Sequence, residues 1–399
     1  MNRTKYDVIV AGGSLSGLLT AREIVSKSSI SVKVLEADHE IGTPEHCGGL
    51  VSLSGLRKLG IVPSSRTFRT HIVRARICSR SSSFIVDANL QDVVAIDRRE
   101  LDKQIAFQAQ KLGAEITTMN SMKSITACPK LGENRSQRVE DEYTYTVNTS
   151  EGTVSCKYFV DARGLSSLVT RSRTGILPSG QYEVFAPWIE PDTVELYFDA
   201  DKYPGFFAWI IPLGENKAKV GVAGRDINIV NSINSFLESK GSSYSVSRKI
   251  FAPIYVSGPI RSFIEGHRFL IVGDAAGQTK PTTAGGILSS GMGGLLAGQA
   301  IAKAIEQGDD IFLNDYPREW HSKFGFEFKK LILARKLFEH LDNQAIDALF
   351  STVSQSTLAR ISQDGEFDFH SAPLSLILSG RTASRIVKGL LESRLRKAK

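Results

Sequence analysis

At 399 residues, with 42% hydrophobic and 23% charged side chains, the sequence has the balance of a folded protein and the length for two domains, or for one domain carrying a large insertion. A net charge of +7 and a pI near 9.1 favour anionic partners such as phosphates or acidic lipid surfaces, but no basic run is interleaved with aromatics in the way that grips a nucleic acid strand. Four scattered cysteines (Cys47, Cys78, Cys128 and Cys156) without a C-x-x-C pair leave no metal site or disulfide framework to expect, and fit a reducing cytoplasm.

The polar N-terminus has no signal-peptide core and runs into a short apolar strand over 6–10. A glycine-rich turn and a helical pattern from Leu15 to about Ser26 follow, then a strand over 31–35 that ends at Glu36. Strand, helix and strand in so short a span read as a parallel unit. Residues 98–112 form a helix closed by Gly113, with strands over 115–118, 124–127 and 143–149 around a polar stretch, 129–142, that reads as a hairpin loop. The apolar run 157–160 reads as a buried strand returning to the first sheet. From 181 to 259 the texture becomes short alternating segments (193–198, 206–211, 218–222), which predict an antiparallel sheet with half-buried strands. The buried-strand signature returns at 268–272, and from Asp309 onward the pattern is mostly helical. The stretch 283–302 is long and apolar enough for a membrane span, but its six glycines favour a helix packed closely on a cofactor or a sheet.

Two elements carry chemistry. Gly12-Gly13-Ser14-Leu15-Ser16-Gly17 lies between strand and helix, where Gly12 permits the tight turn and Gly17 lets helix and strand approach. The helix N-terminus then offers free N–H groups to a pyrophosphate. Glu36 accepts from ribose hydroxyls and disfavours a 2′-phosphate, although Ser14 replaces the usual middle glycine. Far downstream, Gly273-Asp274-Ala275-Ala276 leaves a buried strand and precedes Pro281 and Gly285-Gly286-Ile287. A carboxylate at a strand end can hold a ribityl chain, and the glycine pair can open a helix toward a flavin ring; its plainer reading is a helix N-cap. Together the two elements point to FAD.

With these residues in place, the sequence resembles the geranylgeranyl reductase family of flavoproteins, over roughly residues 5–305. Four further segments carry the resemblance: Pro44-Glu45-His46-Cys47-Gly48-Gly49; Arg98 with Leu101 and Asp102; Asp161-Ala162-Arg163-Gly164; and Phe207-Ala208-Trp209-Ile210-Ile211-Pro212, where tyrosine is commoner than Phe207. The resemblance implies an α/β fold (α+β overall): a Rossmann-like FAD-binding domain of the aromatic-hydroxylase type, an antiparallel-sheet substrate domain and C-terminal helices. The corresponding boundaries are 1–70, 98–180 and 260–305 for the FAD-binding domain, 71–97 and 181–259 for the substrate domain, and 306–399 for the helical region. It implies FAD contacts at Gly12, Ser14, Leu15, Ser16, Gly17, Glu36, Cys47, Gly48, Arg98, Met122, Asp274, Gly285, Gly286 and Ile287. Phe207, Trp209 and Pro212 would line the substrate cavity.

The implied reaction saturates C=C bonds of geranylgeranyl chains in archaeal membrane lipid precursors, with a prenylated lipid as substrate and ferredoxin or NAD(P)H as external electron donor. Cys47 then either donates a proton or positions substrate as a catalytic residue, or merely packs against the ring. The rival functions are a flavin-dependent monooxygenase or halogenase acting on a small aromatic, and a flavoprotein that only carries electrons. The tail 381–399 combines seven basic residues and one acid with an apolar helical face. It either packs on its own domain or lies on an anionic membrane, making the protein cytoplasmic or peripheral at the membrane surface.

Overall fold

The computed structural model describes residues 4–27, 29–127, 144–172 and 174–378; Cys128, the loop 129–142 and the basic tail 381–399 lie outside them.

Apolar β-branched runs, buried on both faces, build a central sheet. Lys5–Ala11 pairs in parallel with Val32–Leu35 on one side and with the second half of Gly152–Asp161 on the other. Glu115–Thr117 and Phe269–Ile271 extend the parallel set outward. The first half of Gly152–Asp161 turns instead into an antiparallel meander with Tyr145–Thr149 and Met122–Ala127, so one long strand serves two sheet regions. The parallel carboxyl ends (Ala11, Leu35, Asp161 and Ile271) therefore share one edge. Ligands of open α/β sheets bind outside such an edge.

Helix Leu15–Lys27 covers this sheet, and the glycine-rich helix Ile287–Gln307 lies across it. A Cβ on Gly294 would overlap the Ser16 carbonyl oxygen, so only glycine permits the crossing. The Thr20 hydroxyl donates to the Gly294 carbonyl at 2.9 Å and ties the pair. The close partner of Gly294 and Gly298 within this apolar stretch is thus another helix. No helix among the described residues is long and apolar enough to cross a membrane.

The second sheet runs, in order, Ser245–Phe251, Ser179–Phe185, Lys217–Ala223, Ala208–Pro212, Thr193–Tyr197, Arg74–Cys78 and Ser83–Asp87. Neighbours are antiparallel except Thr193–Tyr197 with Arg74–Cys78, which are parallel because the chain enters the sheet on two separate passes. Helix Ile229–Lys240, which the alternating texture of 181–259 had hidden, buries Ile233, Phe236 and Leu237 against Tyr182, Val184, Val220 and Val222. Strand alternation then turns Gln181, Glu183, Lys219, Trp209 and Ile211 to the opposite face, where Trp209 and Ile211 pack with Ile72, Val93 and Ala95. A small sheet of Leu50–Ser52, Val93–Ile96 and Phe68–Ile72 joins the two. The C-terminal helices begin with Asp315–Phe338, which adds Tyr316, Trp320, Phe324 and Phe328 to the main core.

Candidate functional site

Gly12 stands at φ +111°, and a Cβ there would overlap the Ala162 carbonyl; the turn closes with its amide donating 2.8 Å to the Leu35 carbonyl. The next amide, Gly13, donates to the Glu36 carboxylate at 2.7 Å, and Asp38 donates to the other oxygen at 2.9 Å. Glu36 thus braces the turn from the end of the second strand. Leu15, Ser16 and Gly17 are buried at the start of the helix while Ser14 is exposed on the edge. Met122 opens its strand two residues after Asn120, whose amide donates to the Glu36 carbonyl at 2.8 Å; it therefore lies toward the Glu36 side of the edge.

Asp274 follows strand Phe269–Ile271 in a single turn of 3-10 helix, Gly273–Ala276. Asp274 is exposed at the sheet edge, yet the protein atoms around its carboxylate push its pKa up, and its side-chain partner is the Ser290 hydroxyl at 3.1 Å. Helix Ile287–Gln307 starts beside it from Gly286, with no side chain capping its free N–H groups. The early and late elements therefore meet at one edge of one sheet.

Arg98 begins helix Arg98–Lys111 under an Asp97 cap. Burial opposes its charge, but Asp102, at 2.9 and 3.1 Å, holds the guanidinium above its ordinary pKa. Its Nε is buried and has no hydrogen-bond partner. A buried donor left unpaired is costly, and a phosphate or flavin oxygen would satisfy it. With the Gly12 turn, the Glu36 carboxylate, the Asp274 carboxylate and an uncapped helix start, the residues fit FAD.

The loop carrying Cys47 is fixed from an unexpected quarter. Glu45, 3% exposed, accepts from the Arg98 amide at 2.9 Å and from the Lys219 ammonium at 2.7 Å, and its second oxygen takes Arg248 at 2.6 Å. Lys219, 1% exposed, also donates to the Cys47 carbonyl at 2.9 Å, and Gln181 donates to the same oxygen at 3.2 Å. The half-buried Cys47 thiol accepts from the Gly49 amide at 3.4 Å, and Gly48 sits against Ile211. Three strands of the second sheet and the start of helix Arg98–Lys111 thus clamp a short loop. From the sequence alone, Glu45 stands out only as part of its motif, and no role attaches to it or to Lys219, Gln181 or Arg248. Lys219 lies midway along the strand Lys217–Ala223, and its burial becomes evident only once Glu45 is placed against it.

Phe207 and Trp209 sit 6.2 Å apart between ring centroids in one apolar cluster that also takes in Phe206, Val256 and Ala284, the residue before the glycine pair Gly285-Gly286. The strand begins only at Ala208, so Phe207 precedes it and stacks on Phe206 at 4.2 Å. Pro212 has the parity of Ala208 and Ile210, which pack beneath helix Ile229–Lys240, so it shares the face away from Trp209. A second missed group lies behind the glycine pair. Lys280, its pKa drawn down to about 8 by burial, faces His370 at 3.2 Å, and Glu327 accepts from the His370 and Ser371 amides at 2.6 and 2.9 Å. Among the described residues no cluster of His, Cys, Asp and Glu could hold a metal.

No protein-family model matches the chain. Curated relatives and solved structures do. Digeranylgeranylglycerophospholipid reductase 2 of Methanothermobacter thermautotrophicus is 32% identical over 383 residues, spanning 90% of this chain and 94% of that protein. The enzyme of the same name from Methanopyrus kandleri is 30% identical over 379 residues, spanning 90% and 92%. Among solved structures, a geranylgeranyl bacteriochlorophyll reductase-like protein of Thermoplasma acidophilum superposes with a TM-score of 0.81 at 20% identity, covering 98% of this chain and 100% of that one. The halogenase PltM reaches a TM-score of 0.63 at 16% identity over 99% and 93%, a likeness of fold alone. These relatives span nearly their whole length here, and the chain belongs to the digeranylgeranylglycerophospholipid reductase family.

Proposed function

We propose that the protein is an FAD-dependent reductase that saturates C=C bonds of geranylgeranyl chains in archaeal membrane lipid precursors. One observation carries the reading furthest: the aromatic cluster of Phe207 and Trp209 is continuous with Ala284, so an apolar wall meets the loop of the glycine pair. A prenyl chain is wholly apolar, and each CH₂ buried there contributes about 0.8 kcal/mol.

Gly12, Ser14, Leu15, Ser16 and Gly17 would hold the pyrophosphate, Glu36 and Met122 the adenosine end, Arg98 and Asp274 the middle, and Gly285, Gly286 and Ile287 the ring. When bound and reduced, FAD supplies the hydride. An isolated alkene has no carbonyl to take up developing charge, so the protein must position the bond, exclude water and place an acid. Cys47 is the proton donor in this reading, its loop fixed by Lys219 and Gln181 through the Cys47 carbonyl. Hydride and proton together add two hydrogens per double bond, and the thiolate recovers its proton from water. Electrons enter from an external donor, a ferredoxin or NAD(P)H, and the protein works from the cytoplasmic side of the membrane.

The test is mass spectrometry of prenyl lipids incubated anaerobically with dithionite-reduced protein. A gain of two hydrogens per double bond is expected; unchanged mass on lipid and prenyl diphosphate alike would end the reading. Cys47→Ala should keep its flavin and lose turnover, whereas normal turnover would leave the thiol as packing.

A further inference from the structure

The helix Asp315–Phe338 has two unlike sides. Its inner side carries Trp320 and Phe328 into the main core and buries Leu331, and Arg335 lies over the Phe206 ring at 5.5 Å. Since Phe206 stacks on Phe207, this side packs against the aromatic cluster of Phe206, Phe207 and Trp209. Its outer side is not an ordinary solvated face. Phe326 and Leu333 lie two turns apart and are 71% and 60% exposed. At 100° per residue they fall in the middle of a stripe, with Lys329 and Lys336 on one flank and Lys323 and Lys330 on the other.

Lys330 reaches over the Phe326 ring at 4.4 Å, and none of the four lysines forms an ion pair among the described residues. Between Lys323 and Lys336 the only acid is Glu327, which is buried and points inward.

We propose that this face of the helix docks the protein on an anionic lipid bilayer. The inference rests on the reading of the substrate as a prenyl lipid and names the surface by which the cleft reaches it. Two large apolar side chains flanked by lysines match an interface whose outer layer is negative phosphate and whose next layer is hydrocarbon. Charge argues against the other occupants. The chain's own tail, 381–399, carries seven basic residues against one acid and would be repelled by the lysine flanks. A second copy docking through the same stripe would set lysine against lysine.

The test is sedimentation of the full chain with vesicles of phosphatidylcholine alone, or of phosphatidylcholine and phosphatidylglycerol in equal parts. Binding to the anionic vesicles only, weakened by salt, is expected. Lys329→Gln with Lys330→Gln should weaken it about thirty-fold, since each lysine near a charged surface is worth about five-fold. Phe326→Ser with Leu333→Ser should abolish the part that survives high salt. Turnover on detergent-dispersed prenyl lipid, unchanged in both variants, reports the reductase reading separately. The proposal falls if the native chain ignores anionic vesicles, or if both variants bind as it does. It also falls if Phe326→Ser with Leu333→Ser instead dissolves a concentration-dependent dimer.

Discussion

Replacing Lys219 by Met removes the side chain that ties the second sheet to the loop of Glu45 and Cys47. Its ammonium is 1% exposed and donates to Glu45 at 2.7 Å and to the Cys47 carbonyl at 2.9 Å. Breaking one side of a buried pair costs about 3–5 kcal/mol, because the other charge stays buried. Glu45 keeps the Arg98 amide at 2.9 Å and Arg248 at 2.6 Å, so the lower end, about 3 kcal/mol, is expected. Urea unfolding followed by tryptophan fluorescence measures it, at unchanged slope. A double-mutant cycle then isolates the pair: Lys219→Met with Glu45→Gln should cost less than the sum of the two single changes, by about 1–3 kcal/mol. In the same variant the Cys47 thiol should react faster with a thiol reagent, since its loop has lost an anchor. Additive single changes, or a Lys219→Met protein as stable as the native one, would refute the clamp.

Glu36→Ala removes the acceptor of the Gly13 and Asp38 amides, and FAD affinity measured by flavin fluorescence should fall about 10–100-fold. Gly294→Val forces a side chain into the Ser16 carbonyl, and thermal melts should show a loss of at least about 3 kcal/mol, where native stability would mean the helices do not cross so closely. Lys280 titrates near 8 in the fold against an ordinary value of 10.5, so between those values the unfolded chain binds more protons and stability rises with pH. Lys280→Met should remove that rise, about 2 kcal/mol between pH 8 and pH 10, in denaturant melts at the two values.

What could be read from the sequence was what lies close together along it. The strand, the Gly12 turn, the helix and Glu36 fall within a few dozen residues, and the positive φ of Gly12 and the approach of Gly17 to the Gly12 carbonyl are local demands that glycine meets. Asp274 was legible for the same reason, as an acid at the end of a buried strand just before a glycine pair. The clamp on Cys47 was not, because Glu45 and Lys219 are 174 residues apart and a strand lysine between apolar neighbours reads as a solvent-facing side chain until its partner is known. Helix Ile229–Lys240 was hidden by the alternating strands on either side of it. The parallel pair of Thr193–Tyr197 with Arg74–Cys78 depends on which edge a distant segment joins, which no local pattern encodes. Lys280 and His370 likewise come together only when the C-terminal segment folds back over the glycine loop.

Equilibrium uptake of FAD by the purified chain, compared with Gly12→Val and Asp274→Ala, puts the central claim to the most direct test. One flavin per chain should bind, with each substitution weakening it by about ten-fold or more. A chain that takes up no FAD, or one whose uptake is indifferent to both substitutions, would contradict a site closed from Gly12 at one end and Asp274 at the other.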